Sequence, residues 1–346
     1  MITSGLLAVS VGCPSGVGPE VAVEAAAKHE APCLLVGDPA VIARAASIRG
    51  VPSASLIRVE DAPEARALAA GQIGVWHRSA RLPHPSTFGE PDADAGAAQL
   101  SWVDEATDLV RQGIAAALVT GPVSKLAIAS SGAPGSATFR GHTEHLAERL
   151  SSREVVMAFW ARELTTSLVT THLPLRAVPD AITAEAVETS AYWTARLLLA
   201  LGHENPRVAI AALNPHAGEG GLLGAEEITA ITPGIERARA RLSAEGSKGE
   251  LLGPIGAETA IRLGAKKGYD AVVCMYHDQA TIPSKLLGFG EAVNVTLGLP
   301  IVRTSVDHGT GYDRAGKGTA DARGMSEALD LAARLVSSPR PPVESK

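Results

Sequence analysis

The stretch AVVCMYHDQATIPSK, residues 271–285, decides how the chain is read. Ala271 to Tyr276 is a short unbroken apolar run, the pattern of a strand buried on both faces rather than one with a wet side. It ends abruptly in His277, Asp278 and Gln279, with Lys285 following. Parallel sheets wrapped by helices deliver chemistry in this way, in loops beyond the carboxyl ends of their strands.

Working outward, similar runs recur at Leu6–Val11, Cys33–Val36, Ile73–Trp76, Ala115–Thr120, Val155–Trp160, Ser167–Thr171, Val208–Leu213 and Asn294–Val306. Between them lie segments with apolar residues at three- and four-residue steps, including PEVAVEAAAKH (19–29), AQLSWVDEATDLVRQG (98–113), AEAVETSAYWTARLLLALG (184–202) and EEITAITPGIERARARLSAEG (226–246). The alternation predicts an α/β fold with mostly parallel sheets and helices on both faces. A chain of 346 residues is long for one small core and predicts two lobes or one large domain. Residues 78–95 read as an irregular lobe crossing or loop, and 338–346 as a disordered tail.

Composition excludes several classes of function. Net charge is −6 and aromatics are 3%, which leaves nothing to attract a phosphate backbone or stack on bases, so no nucleic-acid partner is expected. The amino-terminal stretch lacks a signal-peptide pattern and no later segment reaches about 18 apolar residues, so the expectation is a cytoplasmic protein with no membrane association. Cys13, Cys33 and Cys274 are few, scattered and set in apolar surroundings, which predicts buried thiols rather than a disulfide framework.

His277 has two counterparts. SLVTTH ends in His172, and VAIAALNPH ends in His216. Imidazoles gathered at one sheet edge suit a divalent ion such as Zn²⁺, Mn²⁺ or Co²⁺, and three protein ligands leave coordination positions open. The competing reading is that each histidine satisfies a nearby carbonyl. Lys285, Asn294 and Arg303, together with the GHT sequence whose His142 and Thr143 open a helix, form a set that could hold a phosphate or carboxylate. Two glycine-rich loops, VGCPSGVGPE (11–20) and DHGTGYDRAGKGTAD (307–321), complete the inventory. The second is flexible enough to wrap a nucleotide, or is a plain surface turn.

In order along the chain, GPEV, TGPVSK, GHTEHLAE, TTHLPLR, LNPHAGEGG, MYHDQ, VNVTLGLPIVRTSVDHGT and AGKGTAD closely resemble the 4-hydroxythreonine-4-phosphate dehydrogenases of pyridoxal phosphate biosynthesis. HGTGYDRAGKG also resembles the nucleotide-binding loop of isocitrate and isopropylmalate dehydrogenases. The resemblance implies their two-lobed fold, with one lobe formed by residues 1–130 and 300–337 and the other by 131–299, and an active site in the interlobe cleft. It implies a homodimer whose active site lies at the subunit interface. It also implies a divalent metal (Zn, or Mg, Mn or Co) on His172, His216 and His277, a substrate phosphate held by His142, Thr143, Lys285, Asn294 and Arg303, and NAD along Gly309, Thr310, Gly311, Gly316, Gly318 and Asp321. His277, Asp278 and Lys285 are the catalytic candidates.

There are departures. Cys13 and Ser15 replace the aspartate and alanine of the family's G-D-P-A-G-I-G-P-E loop, and in GPIGAET Gly256 and Glu258 replace a proline and a substrate-side aspartate. The implied activity is NAD-dependent oxidation of 4-phosphohydroxy-L-threonine to a 3-oxo acid that decarboxylates to 3-amino-2-oxopropyl phosphate. Alternatives are the same chemistry on another phosphorylated hydroxy acid, of the 4-phospho-D-threonate or erythronate type, or on a dihydrodiol carboxylate. A metal-dependent phosphohydrolase and a non-catalytic phosphometabolite binder are more distant alternatives.

Overall fold

Asp38, Asp61, Asp92, Ser124 and Thr183 each accept a hydrogen bond from a backbone N–H in the first turn of the helix that follows, which fixes where five helices begin. The structure, a computed structural model, describes residues 5–288 and 290–337; the expected tail, 338–346, lies outside them. By its contacts the chain forms two units, Met1–Ser151 with Pro300–Ser337, and Ser152–Leu299.

The first unit begins β1 (Leu7–Ser10), α1 (Gly18–Lys28), β2 (Cys33–Val36), α2 (Pro39–Arg49), β3 (Leu56–Val59), α3 (Ala62–Arg66), β4 (Ile73–Trp76), α4 (Ala93–Arg111), β5 (Ala117–Thr120), α5 (Lys125–Ser130) and α6 (His142–Arg149). The second runs β6 (Val156–Trp160), β7 (Thr166–Leu168), α7 (Val178–Ala181), α8 (Ala184–Ala200), β8 (Arg207–Ala211), α9 (Thr232–Ala244), β9 (Glu250–Ile255), α10 (Ala257–Ala265), β10 (Ala271–Cys274), α11 (His277–Leu287) and β11 (Val293–Leu297). The chain returns to the first unit with β12 (Val302–Val306) and α12 (Arg323–Ser337).

In the first unit the strands lie in the order β3-β4-β2-β1-β5-β12, all parallel. In the second the order is β11-β6-β7-β10-β8-β9, parallel except that β6 runs against both its neighbours. The apolar run Ala271–Met275 is buried on both faces. Ala271, Val273 and Met275 join a core with Val187, Leu198, Ile235 and Leu242 of α8 and α9, whereas Val272 and Cys274 pack with Ala260 of α10 and Ala280 of α11. Cys13, Cys33 and Cys274 are buried free thiols, as expected.

Three expectations need correction. Asn294–Val306 is two strands, because Gly298 turns the chain at φ +84°, against the Glu154 carbonyl, where a side chain would clash. Residues 131–151 lie in the first unit, not the second, since α6 is tied to α4 by His145 to Asp104 (2.6 Å) and Arg149 to Asp108 (2.8 Å). Of residues 78–95, 78–92 are irregular and 93–95 already belong to α4; the stretch crosses no boundary and is held by Arg44, which donates to the Ser86 carbonyl (2.7 Å), and by Trp102, which donates to the Ala80 carbonyl (2.8 Å).

In the second unit Glu154, just ahead of β6, ties α8 and α9 together. It accepts two bonds from the Arg241 guanidinium, both 2.9 Å, and one from the Trp193 indole (2.8 Å). Burial alone would raise its pKa, but these bonds outweigh burial and hold the carboxyl below the usual range. A carboxyl depressed by folding contributes stability above its unfolded pKa, about 4.3, and loses it as pH falls through the folded value. The pair is about a third exposed, so its net worth is at most ~1 kcal/mol. Glu154→Gln should therefore lower the melting temperature by roughly 2 °C at neutral pH. The gap should close as the medium is acidified below the carboxylate range; equal melting at neutral pH would show that the clamp contributes nothing.

Candidate functional site

The three strands that run out into histidines are next neighbours in the second unit. β7, β10 and β8 are parallel and adjacent, so their carboxyl ends lie along one edge. Pairing continues past the strands, with Val169 N donating to the Cys274 carbonyl (2.9 Å) and Thr170 Oγ1 to the Met275 carbonyl (2.7 Å). Gln279 accepts from Met275 N (2.6 Å) and donates to the Ala212 carbonyl (2.9 Å), stitching the tip of β10 to that of β8.

Register then brings two imidazoles together. The His172 and His277 rings have centroids 5.7 Å apart. His277 is the first residue of α11, and its Nδ1 lies 2.7 Å from Asp278 Oδ1. A carboxylate on Nδ1 fixes the tautomer that leaves Nε2 with a lone pair, the usual support for a metal-ligating histidine. Two metal–nitrogen bonds of about 2.0–2.1 Å can span rings this close, so the pair fits a divalent cation. Asp278 is otherwise exposed, and its contact is with the ligand candidate itself.

His216 is placed differently. Beyond β8 the chain makes a left-handed turn in which His216, Ala217, Gly218, Glu219 and Gly220 all have positive φ between 45° and 76°. For the three non-glycine residues this costs on the order of 1–2 kcal/mol each. The turn is anchored by Glu227, a buried carboxylate on a π-helical turn (Glu227–Ile231) ahead of α9. His216 is exposed, and among the described residues no three His, Cys, Asp or Glu side chains lie close enough within one chain to hold an ion.

The anion-binding candidates divide between the units. In the first, α6 carries His142 and Thr143, and β12 carries Arg303. Arg303 is buried and donates through Nη2 and Nε to Thr120 Oγ1 at the tip of β5 (2.7 and 3.2 Å). Burial pulls its pKa down to about 9, opposed by the Glu144 carboxylate, so it stays cationic at neutral pH. His142 is shifted far in the neutral direction by burial first, then by Arg303, His145 and Lys125, and its Nε2 is enclosed without a hydrogen-bond partner. Such an orphaned atom beside a buried cation is what a bound anion would satisfy. In the second unit Lys285 is exposed on α11 and Asn294 lies on β11. Glu258 is exposed on α10, with its carboxylate bonded to Arg262 (2.7 Å) and Thr259 (3.0 Å).

The glycine-rich loops pack on each other. Val17 N donates to the Thr310 carbonyl (2.9 Å), and a side chain at Gly16 would meet that same oxygen at 2.5 Å. Gly316 N and Gly318 N, expected to face a nucleotide, instead donate to the buried Glu20 carboxylate (2.7 and 3.2 Å). Asp321 is bonded to the Arg323 side chain and amide (2.9 and 3.0 Å). Gly311 packs against Val17, whereas Gly309 is exposed with open space above its Cα. Sequence reading missed Glu20, Glu227, Thr120 and Lys125. The usable signal was an acid next to apolar residues at helical spacing, as in PEVAVE, where Glu20 falls on the buried face.

The profile of the family described as "Pyridoxal phosphate biosynthetic protein PdxA" matches residues 28–332. A 4-hydroxythreonine-4-phosphate dehydrogenase of Desulfosudis oleivorans is 41% identical over 332 residues, spanning 94% of this chain and 95% of that one. The crystal structure of a 4-hydroxythreonine-4-phosphate dehydrogenase from Klebsiella pneumoniae superposes with a TM-score of 0.81 at 35% identity, covering 96% of this chain and all of the other. A terephthalate 1,2-cis-dihydrodiol dehydrogenase from Burkholderia xenovorans matches at 0.66 and 30% identity, covering 95% and 97% of the two chains. A family profile that covers most of the chain and relatives of this similarity at nearly full length establish that the chain belongs to the PdxA family.

Proposed function

We propose that the protein is an NAD-dependent, divalent-metal-assisted dehydrogenase of pyridoxal phosphate biosynthesis. It oxidises 4-phosphohydroxy-L-threonine at its secondary alcohol to the 3-oxo acid, which decarboxylates to 3-amino-2-oxopropyl phosphate. The observation that carries this reading is family membership along nearly the whole chain, with the histidine pair and the buried guanidinium both in place.

When bound, a divalent cation supplies the Lewis acidity that makes an aliphatic hydroxyl acidic enough to release its proton. His172 and His277 would hold it, with His216 as the third ligand, and Asp278 keeps His277 in the metal-binding tautomer. Arg303 holds a permanent positive charge for the substrate phosphate, and the neutral His142 offers that phosphate a hydrogen bond without a second buried charge. Thr143, Lys285 and Asn294 are the further substrate contacts in this reading. Asp278 and Lys285 are its proton-carrying candidates. For the dinucleotide, the open backbone at Gly309 suits the role better than Gly316 and Gly318, whose amides already serve Glu20.

A homodimer completes the reading. Eight of the nine exposed large apolar side chains among the described residues lie in the second unit, and all eight lie in three segments that follow the histidines: Leu173 and Leu175; Leu222, Leu223 and Ile228; Ile282, Leu286 and Leu287. Apolar side chains concentrated around a polar site are the mark of a surface that another chain covers. A second copy would thus both bury them and bring a further histidine to the pair.

A specific residue favours a second reading, the same chemistry on a different phosphorylated hydroxy acid. Glu258 stands where the resembling enzymes carry a substrate-side aspartate, and its carboxylate is engaged with Arg262. A substrate panel decides between the two.

Assayed by NADH absorbance, the protein is expected to turn over 4-phosphohydroxy-L-threonine, to lose activity with a chelator and to regain it with Zn²⁺, Co²⁺ or Mg²⁺; phosphate release without NADH would replace this reading with hydrolysis. His277→Ala should lower kcat on the order of 100-fold or more, and wild-type turnover in that variant would remove His277 from the site. Arg303→Ala should raise KM roughly 10- to 100-fold with a smaller effect on kcat, through loss of a charge-assisted bond; an unchanged KM would count against phosphate binding there. Sedimentation should give about twice the 35.5 kDa chain mass, and Ile282→Glu should shift it toward monomer with loss of turnover. A wild-type monomer with full activity would contradict the shared site.

A further inference from the structure

Residues 213–231 contain an arrangement for which the proposed chemistry has no use, a buried carboxylate wrapped by the segment that carries His216. Glu227 is 3% exposed. Its Oε1 accepts from Leu213 N (2.9 Å) and Asn214 N (2.8 Å), the last residues before the left-handed turn. Its Oε2 accepts from Asn214 Nδ2 (3.0 Å), which also donates to Glu226 Oε2 (2.7 Å). Further into the turn, a Cβ on Gly218 would lie 2.7 Å from the same Oε2. Leu223 N donates to the Gly218 carbonyl (3.0 Å) and closes the loop behind it. The carboxylate thus touches the entrance of the turn by hydrogen bonds and its middle by close packing.

Five consecutive residues in the left-handed region do not stay there on local preference, because three of them carry a Cβ. Something outside the turn must fix it, and the Glu227 side chain is in contact with both of its parts. We propose that Glu227 is the positioning residue of the metal site: its carboxylate holds the left-handed turn and thereby sets where the His216 imidazole is presented. This rests on the reading of His216 as a metal ligand. Glutamine at 227 would keep two of the acceptor contacts through Oε1 but turn an N–H₂ toward the Asn214 amide nitrogen, donor against donor. The turn would then lose its fixed geometry while α9 and the β8–β9 core remain.

The test uses the full-length protein, stripped of metal and titrated with Co²⁺, read by visible absorption for affinity and ligand geometry and by amide hydrogen exchange over residues 213–224. Glu227→Gln is expected to weaken Co²⁺ binding roughly 10- to 100-fold, to alter the Co²⁺ spectrum and to speed exchange across the turn. Leu242→Ala, a core change in the helix that follows, should lower the melting temperature at least as much yet keep Co²⁺ affinity within about twofold, since it leaves the turn alone. Glu227→Asp keeps the charge with a shorter reach, should weaken binding less, and carries the test if the glutamine variant is not recovered folded. Wild-type affinity, spectrum and exchange in Glu227→Gln would overturn the proposal, as would an equal loss of affinity in Leu242→Ala. His216→Ala separates the two levels of inference. If it binds Co²⁺ as the wild type does, the ligand assignment fails and the positioning role falls with it; if it loses Co²⁺ while Glu227→Gln does not, only Glu227 is wrong.

Discussion

A strand buried on both faces has no place for a polar side chain without a hydrogen-bond partner until it ends. In the second unit β10 packs α8 and α9 on one side and α10 and α11 on the other, so every residue from Ala271 to Met275 must be apolar. The first permitted polar position is the tip, where His277 begins α11. β8 obeys the same constraint from Val208 to Ala212, β7 buries Thr166 and Ser167 only with hydroxyl partners in Ser284 and Thr194, and because the three strands are parallel neighbours their carboxyl ends fall along one edge. His172, His216 and His277 all follow those ends.

This is also why the interior was legible in the sequence and the periphery was not. Cys33–Val36 and Ile73–Trp76 are strands with the bounds expected of them, because a fully buried strand is an unbroken apolar run. β3 and β9 escaped notice, and both are edge strands. LIRV and ELLGPI each carry a charge and are largely half-exposed, so neither shows the run that marks an interior strand. Edge strands are specified by the neighbour they pair with, a long-range fact that a local window does not contain.

Two acids went unnoticed for a related reason. Charged residues at helical spacing are ordinarily the wet face, yet Glu20 and Glu227 are buried. Each is surrounded by N–H donors, Glu20 by Gly316 and Gly318 with the Arg44 charge also nearby, and Glu227 by Leu213 and Asn214. A carboxylate that accepts several amide bonds stays ionised in the interior, and Glu227 is accordingly held below the usual carboxylate range despite the opposing effect of burial. Glycine-rich loops invite a ligand reading because their amides are accessible. In this protein a side chain from elsewhere in the sequence already occupies two of them.

His142 and Arg303 divide the electrostatic work in the opposite sense. Desolvation disfavours the charged form of both, but a guanidinium starts so far above neutrality that a fall to about 9 leaves it cationic, whereas an imidazole starts near 6.5 and any downward shift leaves it neutral. Burial therefore turns two basic residues into one fixed cation and one neutral hydrogen-bonding group. A second cation beside Arg303 would repel it in a medium too poorly screened to soften the repulsion. The Glu144 carboxylate offsets part of that single charge and the neutral partner adds none to it, so in the proposed reading an arriving phosphate would find its counter-charge already in position.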